Sequence, residues 1–355
     1  MIYERILVTG GCGFIGANFI RRLMRRADFT GVVVNVDKLT YAGNRMSVAD
    51  IEEQFGGSRY IFEQKDIADY AAMEEIVERY GISCIVNFAA ESHVDRSIYG
   101  PAEFVRTNVI GTFSLLESAR KAWKGRKDVR FHQVSTDEVY GPLGEEGFFT
   151  EITPYAPANP YAATKASADH LVRAYANTYG LPVTISNCCN NYGPYQFPEK
   201  LVPFMILAMC EGRPLPVYGD GGHIRDWLYV EDHCDAICLI LEQGVPGETY
   251  LVGGGNERRN RDLVIELCKL VALRTGRDPE EYERLITYVS DRPGHDRRYA
   301  IDSGKIRREL GWSQAVSLEE GLARTVDWYL SNRQWVDAVK TGAYREWVRT
   351  NYDGR

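Results

Sequence analysis

Tyr161 and Lys165 stand four residues apart in a helical pattern that begins after Pro160, a spacing that puts both side chains on one helix face. An ammonium about 5 Å from a phenol contributes about 3 kcal/mol at an effective dielectric near 20. Lys165 is therefore expected to draw the Tyr161 pKa from about 10 towards neutrality. A tyrosine so poised removes a hydroxyl proton while hydride leaves the same carbon. Alone, Y-x-x-x-K recurs by chance and reads as a structural pair. Ser135-Thr136-Asp137-Glu138, at the end of a strand pattern, changes the balance. The Thr136 hydroxyl can orient a substrate oxygen, and adjacent carboxyls in different surroundings can divide into one acid and one base. The plainer reading of Asp137-Glu138 is a solvated turn.

Such chemistry needs a hydride acceptor, and the chain opens with a place for one. The strand pattern 5–9 runs into Gly10, Gly13, Phe14, Ile15 and Gly16, followed by an amphipathic helix. Glycines at this spacing permit a tight turn, close approach of a diphosphate and close helix–sheet packing, with the helix N–H groups facing the phosphates. The next strand pattern ends in Asp37, about 20 residues beyond Gly16, where a carboxylate accepts from ribose hydroxyls and favours NAD over NADP. Lys38, Leu39 and Thr40 follow it. Later strand ends supply Asp66 and Ile67, then Phe88, Ala89, Ala90, Glu91 and Ser92, because ligands of such sheets bind at the carboxyl ends.

The elements that must position these groups alternate. Segments 5–9, 32–37, 60–66, 83–89, 129–136 and 182–187 read as strands, and 73–80, 101–123 and 161–179 as helices. This alternation implies an α/β fold, a doubly wound parallel Rossmann sheet. From about residue 190, Gly and Pro punctuate every 10 to 15 residues, the mark of a smaller, loop-rich α/β substrate-binding domain. The expected division is 1–190 for the NAD-binding domain, with returning segments at 229–253 and 317–330. Residues 191–228 and 254–316 form the second domain, and 331–355 a C-terminal segment.

With 355 residues, two domains and a sizeable core are expected. A net charge of −7 argues against a nucleic-acid partner, and the row Arg21, Arg22, Arg25, Arg26 reads as a solvated helix face. No run of 18 apolar residues and no signal-peptide pattern is present, so no membrane association is expected. The eight cysteines form no C-x-x-C pair and read as buried thiols of a cytoplasmic protein. His93, His132, His170, His223 and His233 lack paired metal-ligand spacing, so no metal is expected. Arg298, Arg307 and Arg308 read as surface ion-pair residues.

The stretches Tyr41-Ala42-Gly43-Asn44, Ala89 to Ser97, Thr136-Asp137-Glu138, Asn190 to Lys200, Arg225-Asp226-Trp227 and Asp291 to Asp296 span most of the chain. With the glycine loop and Y-x-x-x-K, they resemble the nucleotide-sugar 4,6-dehydratases of the extended short-chain dehydrogenase/reductase superfamily. Departures are small: Cys12 in the glycine loop, Cys189 before the Asn pair, and Thr164 before the lysine.

The resemblance implies a bound NAD regenerated each turnover, with Thr107 and Asn191 joining Tyr161 and Lys165 around it. It implies Tyr161 as the base at sugar carbon 4, Glu138 as the base at carbon 5, and Asp137 as the acid that expels the carbon-6 hydroxyl as water. Ser92, Thr136, Asn190, Lys200, Leu201, Pro216, Val217, Tyr218, Arg225, Asn260, Arg292 and His295 would line the substrate site. Arg225 and Arg292 are the diphosphate candidates. dTDP-glucose is the favoured substrate, with UDP- or CDP-glucose as alternatives. A homodimer through 101–123 and 161–179 is implied as well. An epimerase or decarboxylase shares this fold and Tyr-Lys pair but has no use for the Asp137 acid. A non-catalytic NAD-binding protein is the remaining alternative.

Overall fold

Residues Ile6 to Thr9 are all buried, as a strand covered on both faces requires. In the computed structural model, which describes residues 1–291 and 294–340, this strand, β1 (Arg5–Thr9), lies inside a seven-stranded sheet. The first half of the chain adds β2 (Val32–Val36), β3 (Tyr60–Glu63), β4 (Cys84–Asn87), β5 (Arg130–Thr136) and β6 (Val183–Cys188). The remainder contributes β7 (Asn190–Tyr192), β8 (Leu215–Tyr218), β9 (Ile224–Tyr229), β10 (Thr249–Val252), β11 (Glu257–Arg259) and β12 (Ile286–Val289).

The main sheet has the order β10-β6-β5-β4-β1-β2-β3, and every pairing in it is parallel. It is an α/β Rossmann-type fold. Strand order reverses between β1 and β4, so their carboxyl ends open a crevice. The strands end earlier than the apolar runs suggest: β3 stops at Glu63 and β4 at Asn87. The residues beyond them form the loops at that crevice.

A three-stranded sheet (β11-β9-β7) and a β8–β12 pair lie apart from the main sheet. They pack with helices Leu201–Glu211 and Asn260–Thr275 around a second apolar cluster. The expectation that 317–330 returns to the first domain is corrected. Helix Leu318–Ser331 buries Leu318, Leu322, Val326 and Tyr329 in this second cluster. Apolar periodicity shows that a face is buried, not against what. Of the C-terminal segment, 341–355 lies outside the described residues; Trp335 before it donates its indole N–H to Ser47 Oγ at 3.1 Å.

One charge expectation gains detail and another is corrected. The row Arg21, Arg22, Arg25 and Arg26 keeps Arg22 and Arg25 exposed, and the whole row is salt-bridged: Asp50 takes Arg21 and Arg25, Asp235 takes Arg22, and Glu242 takes Arg26. Arg298 is not a surface residue. It is buried, grips Glu257 through two bonds of 2.7 and 2.9 Å, and donates to the carbonyls of Gly144 and Gly147. Arg298→Met leaves those acceptors unpaired and is expected to cost about 3 kcal/mol, seen as a lower unfolding midpoint in denaturant.

Candidate active site

The glycine loop is packed too tightly for side chains. A Cβ on Gly16 would lie 2.4 Å from the Gly10 carbonyl oxygen, and Gly10 itself has φ of +68° with Ala89 Cα 2.8 Å from where its Cβ would be. Helix Phe14–Met24 starts at Gly13 with no side-chain cap, so its first N–H groups face the crevice as anion donors. Asp37 accepts from the Cys12 N–H at 2.9 Å and the Leu39 N–H at 2.7 Å. Burial raises its pKa, and these two bonds oppose the rise. Its carboxylate thus braces the loop besides facing the cleft.

The reacting groups sit on β5 and helix Pro160–Tyr179. The chain leaves β5 in a single 3-10 turn, Asp137–Tyr140, capped by Thr136, whose Oγ1 accepts from the Glu138 N–H at 3.2 Å. The helix begins with Asn159 accepting from the Ala162 N–H and with proline in its first turn. That start places Tyr161 and Lys165, both buried, on the face towards β5. Lys165 donates from Nζ to the Val134 carbonyl at 2.7 Å.

The expected lowering of the Tyr161 pKa is corrected. Burial first, and then the Glu138 charge, hold the phenol well above its ordinary value. Burial of the pair outweighs a lysine whose ammonium is committed to the strand. Asp137 is buried, and burial together with the Glu138 charge pushes its carboxyl well above the usual carboxylate range. These surroundings favour its acid form, and its Oδ2 has no hydrogen-bond partner. Next to it, Glu138 is only half-buried. Two neighbouring carboxyls thus occupy different surroundings, the arrangement that separates an acid from a base.

Asn108 was not found from sequence. It lies in a π-helical stretch, Val105–Gly111, inside the long helical run that starts at Pro101, and such stretches gather at functional sites. Its side chain accepts from the Glu91 N–H at 2.9 Å and donates to the Glu91 carbonyl at 3.0 Å. It also donates to Thr164 Oγ1, which in turn donates to the Tyr161 carbonyl. Asn108→Ala unties the β4 loop from the helix that carries Tyr161. About 2 kcal/mol of stability is expected to go with it, measurable by thermal unfolding.

One cleft of about 1570 Å³, open mouth included, brings the groups together. The glycine loop, Asp37, Lys38, Thr40, Asp66, Ile67 and Thr107 line it, as do Phe88 to Ser92. So do Thr136, Asp137, Glu138, Tyr161, Lys165, Asn190, Asn191 and Lys200. Sequence reasoning missed Lys65, Gln196, Phe197 and Glu199 as lining residues, and it missed Cys188 and Cys189, whose thiols burial raises. Gly43 lies among the matched stretches, but its role was not read: a Cβ there would be 2.8 Å from Asp37 Oδ1. The close glycine turn, the uncapped helix and the braced acidic residue fit an adenine dinucleotide.

Several expected substrate residues lie off this cleft. Leu39, expected at the cofactor, does not line the cleft; it has a φ of +59° and packs against the apolar cluster that also holds Phe14 and Phe88. Leu201 and Val217 pack with the second apolar cluster because both belong to its apolar face, and Pro216 is buried beside them. Arg225 is buried across the Tyr299 ring and donates to the carbonyls of Ile224 and Asp296. Asn260 opens a helix beside His223. Tyr218 donates to Asp95 Oδ2 at 3.3 Å, and its ring meets His295 edge-on. Arg292 lies outside the described residues. His223 has no metal-ligand spacing in the sequence, but folding brings ligand atoms of His223, Asp291 and His295 within 4.8 Å of one another.

The family model for GDP-mannose 4,6 dehydratase matches residues 7–325. The dTDP-glucose 4,6-dehydratase of Salmonella typhimurium is 53% identical over 99% of both chains. That of Xanthomonas campestris is 54% identical over 96% of this chain and 97% of its own. Among solved structures, the Streptomyces venezuelae dTDP-glucose 4,6-dehydratase, crystallised with NAD, superposes with a TM-score of 0.85 at 46% identity. It covers 95% of this chain and all of that one. A Thermotoga maritima UDP-glucose 4-epimerase matches at 31% identity and a TM-score of 0.81, over 93% of this chain and 99% of its own, so the scaffold alone does not separate the two chemistries. The matched identity and the carboxyl pair at the end of β5 agree, and the chain belongs to the nucleotide-sugar 4,6-dehydratases of the extended short-chain dehydrogenase/reductase superfamily, with the dTDP-glucose 4,6-dehydratases as its relatives.

Proposed function

We infer that the protein is a hydro-lyase that converts dTDP-glucose to dTDP-4-keto-6-deoxyglucose and water. The observation that carries this reading is Asp137, a buried carboxyl whose acid form burial and the neighbouring Glu138 favour, lining the same cleft as Tyr161. NAD, which the glycine loop and Asp37 would hold, would supply a hydride acceptor and a cationic ring.

The chain's own residues move the protons. Tyr161, whose ionisation the positive charge of bound NAD would have to favour against the burial that raises its pKa, takes the proton of the carbon-4 hydroxyl, with Thr136 orienting that oxygen. A ketone at carbon 4 acidifies the carbon-5 hydrogen enough for a carboxylate, so Glu138 removes it. Asp137 gives its proton from the side of Oδ2, and the carbon-6 hydroxyl leaves as water. Glu138 returns its proton to carbon 5 as the sugar is reduced at carbon 6. Lys165, fixed to β5, and Asn191, whose Oδ1 meets His233 Nδ1 at 2.9 Å, would hold the cofactor side of the cleft.

Incubation with dTDP-glucose and no added NAD, followed by mass spectrometry, tests the reading. A product lighter by one water is expected. Dehydration of UDP- or CDP-glucose alone would keep the mechanism and change the nucleotide, since one methyl contributes only about 1–3 kcal/mol of discrimination.

Exposed Tyr99, Val105, Ile110, Phe113 and Tyr179 support a homodimer through the helices around them, Pro160–Tyr179 included. Sedimentation should give twice the monomer mass, and Phe113→Glu should shift it to one chain. No described helix is long and apolar enough to cross a membrane. Free, mostly buried thiols support a cytoplasmic location.

A further inference from the structure

The proton steps leave one buried carboxyl of the Tyr161 helix unused. Asp169 stands one turn beyond Lys165, as Lys165 stands one turn beyond Tyr161, so the three share one face of helix Pro160–Tyr179. Asp169 is fully buried. Helical side chains lean towards the helix N-terminus, which brings its carboxyl back over the turn that carries Lys165.

Three donors converge on one of its oxygens. Oδ2 accepts from Ser135 Oγ at 2.7 Å, Tyr155 Oη at 2.9 Å and Asn187 Nδ2 at 3.3 Å. The direction of the Tyr155 bond is fixed, because Arg173 donates to the same phenol oxygen at 2.7 Å and a guanidinium accepts nothing. Asn187 also donates to the Thr136 carbonyl at 3.0 Å. The carboxyl thereby ties the last two residues of β5 to the helix that carries Tyr161. Oδ1 is buried without a hydrogen-bond partner. A proton on it would find no acceptor, so this donor set fits the carboxylate form.

We propose that Asp169 is a positioning residue: it is the buried counter-charge of the Lys165 ammonium, and it fixes the end of β5 to the same helix. The inference rests on the dehydratase reading and adds a residue to its first, oxidative step. Burial works against the Lys165 charge, and Asp169 is the largest influence in its favour. Burial raises the Asp169 carboxyl in turn, and Lys165 heads the groups that oppose the rise. Without the Asp169 charge, Lys165 gives up its proton at lower pH, and a neutral amine no longer favours a phenolate at Tyr161. The other ionisable groups around the pair are Tyr161 and Arg173 on the helix, Tyr155 and Tyr140 before it, Asp137 after β5 and Cys188 on β6. Tyr140, Tyr155, Cys188 and Arg173 are all pushed up, so they keep their protons where Lys165 loses its own.

The test isolates oxidation in the NAD-loaded Glu138→Gln protein, where reduced cofactor accumulates, by stopped-flow absorbance near 340 nm across pH. Adding Asp169→Asn, which keeps the shape and an acceptor oxygen, should move the alkaline decline of the oxidation rate down by about one pH unit or more. Adding Ser135→Ala instead, which cuts one tie but keeps the charge, should slow oxidation and leave that decline in place. Unfolding midpoints are the second measurement. Asp169→Asn should lower the midpoint of the otherwise unmodified protein but not that of Lys165→Met, where the carboxylate has already lost its partner. If Asp169→Asn does not fold alone, combining it with Lys165→Met should restore folding.

The proposal is overturned if a folded Asp169→Asn variant keeps its alkaline decline in place. An equal loss of midpoint with and without Lys165, or a double variant that still fails to fold, overturns it as well. If neither the unmodified protein nor Glu138→Gln forms reduced cofactor or dehydrated product from dTDP-, UDP- or CDP-glucose, the dehydratase reading falls instead. The midpoints then still decide whether Asp169 and Lys165 act as a charge pair.

Discussion

Asp137→Asn lowers dehydration by about 10³-fold, within the range that a positioned general acid contributes, while oxidation at carbon 4 survives. The amide matches the carboxyl in shape but has no proton to give, and the carbon-6 hydroxyl is then a poor leaving group. The enzyme should stall with reduced cofactor, visible as absorbance near 340 nm. Glu138→Gln should stall at the same stage, because the carbon-5 hydrogen is not removed. The pH dependence carries the sign of the assignment. An acid must be protonated to act, and the Asp137 carboxyl lies well above the usual carboxylate range. Dehydration should therefore persist through the pH region where ordinary carboxyls ionise and decline as pH rises through the Asp137 value. Asp137→Asn removes that alkaline decline. If both variants dehydrate at the wild-type rate, the division into acid and base is wrong.

Gly16→Val acts at the other end of the cleft. The added Cβ would sit 2.4 Å from the Gly10 carbonyl oxygen and 2.9 Å from Gly11 Cα, both backbone atoms that cannot swing aside. Helix Phe14–Met24 must move away from the turn, and its N–H groups leave the diphosphate. A loss of about 3 kcal/mol of cofactor affinity is expected, roughly a hundredfold. Nicotinamide nucleotide released on acid treatment of the purified protein should fall to near zero. Gly144→Ala, at a glycine with open space around it, should retain a full complement.

These two sites were legible because each is local. The glycine spacing, the Tyr161–Lys165 interval and the run Ser135 to Glu138 each lie within a few residues, where strand and helix geometry alone decide which side chains meet. What was not legible depends on distant pairing. Asn108 meets Thr164 across 56 residues of chain, and Arg298 meets Glu257 across 41. His223, just before β9, meets Asp291, just beyond β12, across 68 residues of chain. Helix Leu318–Ser331 shows the limit of periodicity, since the same apolar stripe would fit either domain.

The Tyr161 pKa shows the limit of spacing in another way. An interval of four residues places two side chains on one face but does not say where the ammonium goes, and here it goes to Val134. Local reasoning also gave Asp37 a single task, whereas its carboxylate braces the backbone of Cys12 and Leu39.

The central claim is that one sugar is oxidised at carbon 4, loses water across carbons 5 and 6, and is reduced at carbon 6 within the same site. Its most direct test uses dTDP-glucose carrying deuterium at carbon 4, with the product analysed by mass spectrometry and deuterium NMR. The account predicts loss of one water with the deuterium moved to carbon 6. Deuterium still at carbon 4 of an undehydrated, inverted sugar, or lost to solvent, would contradict it.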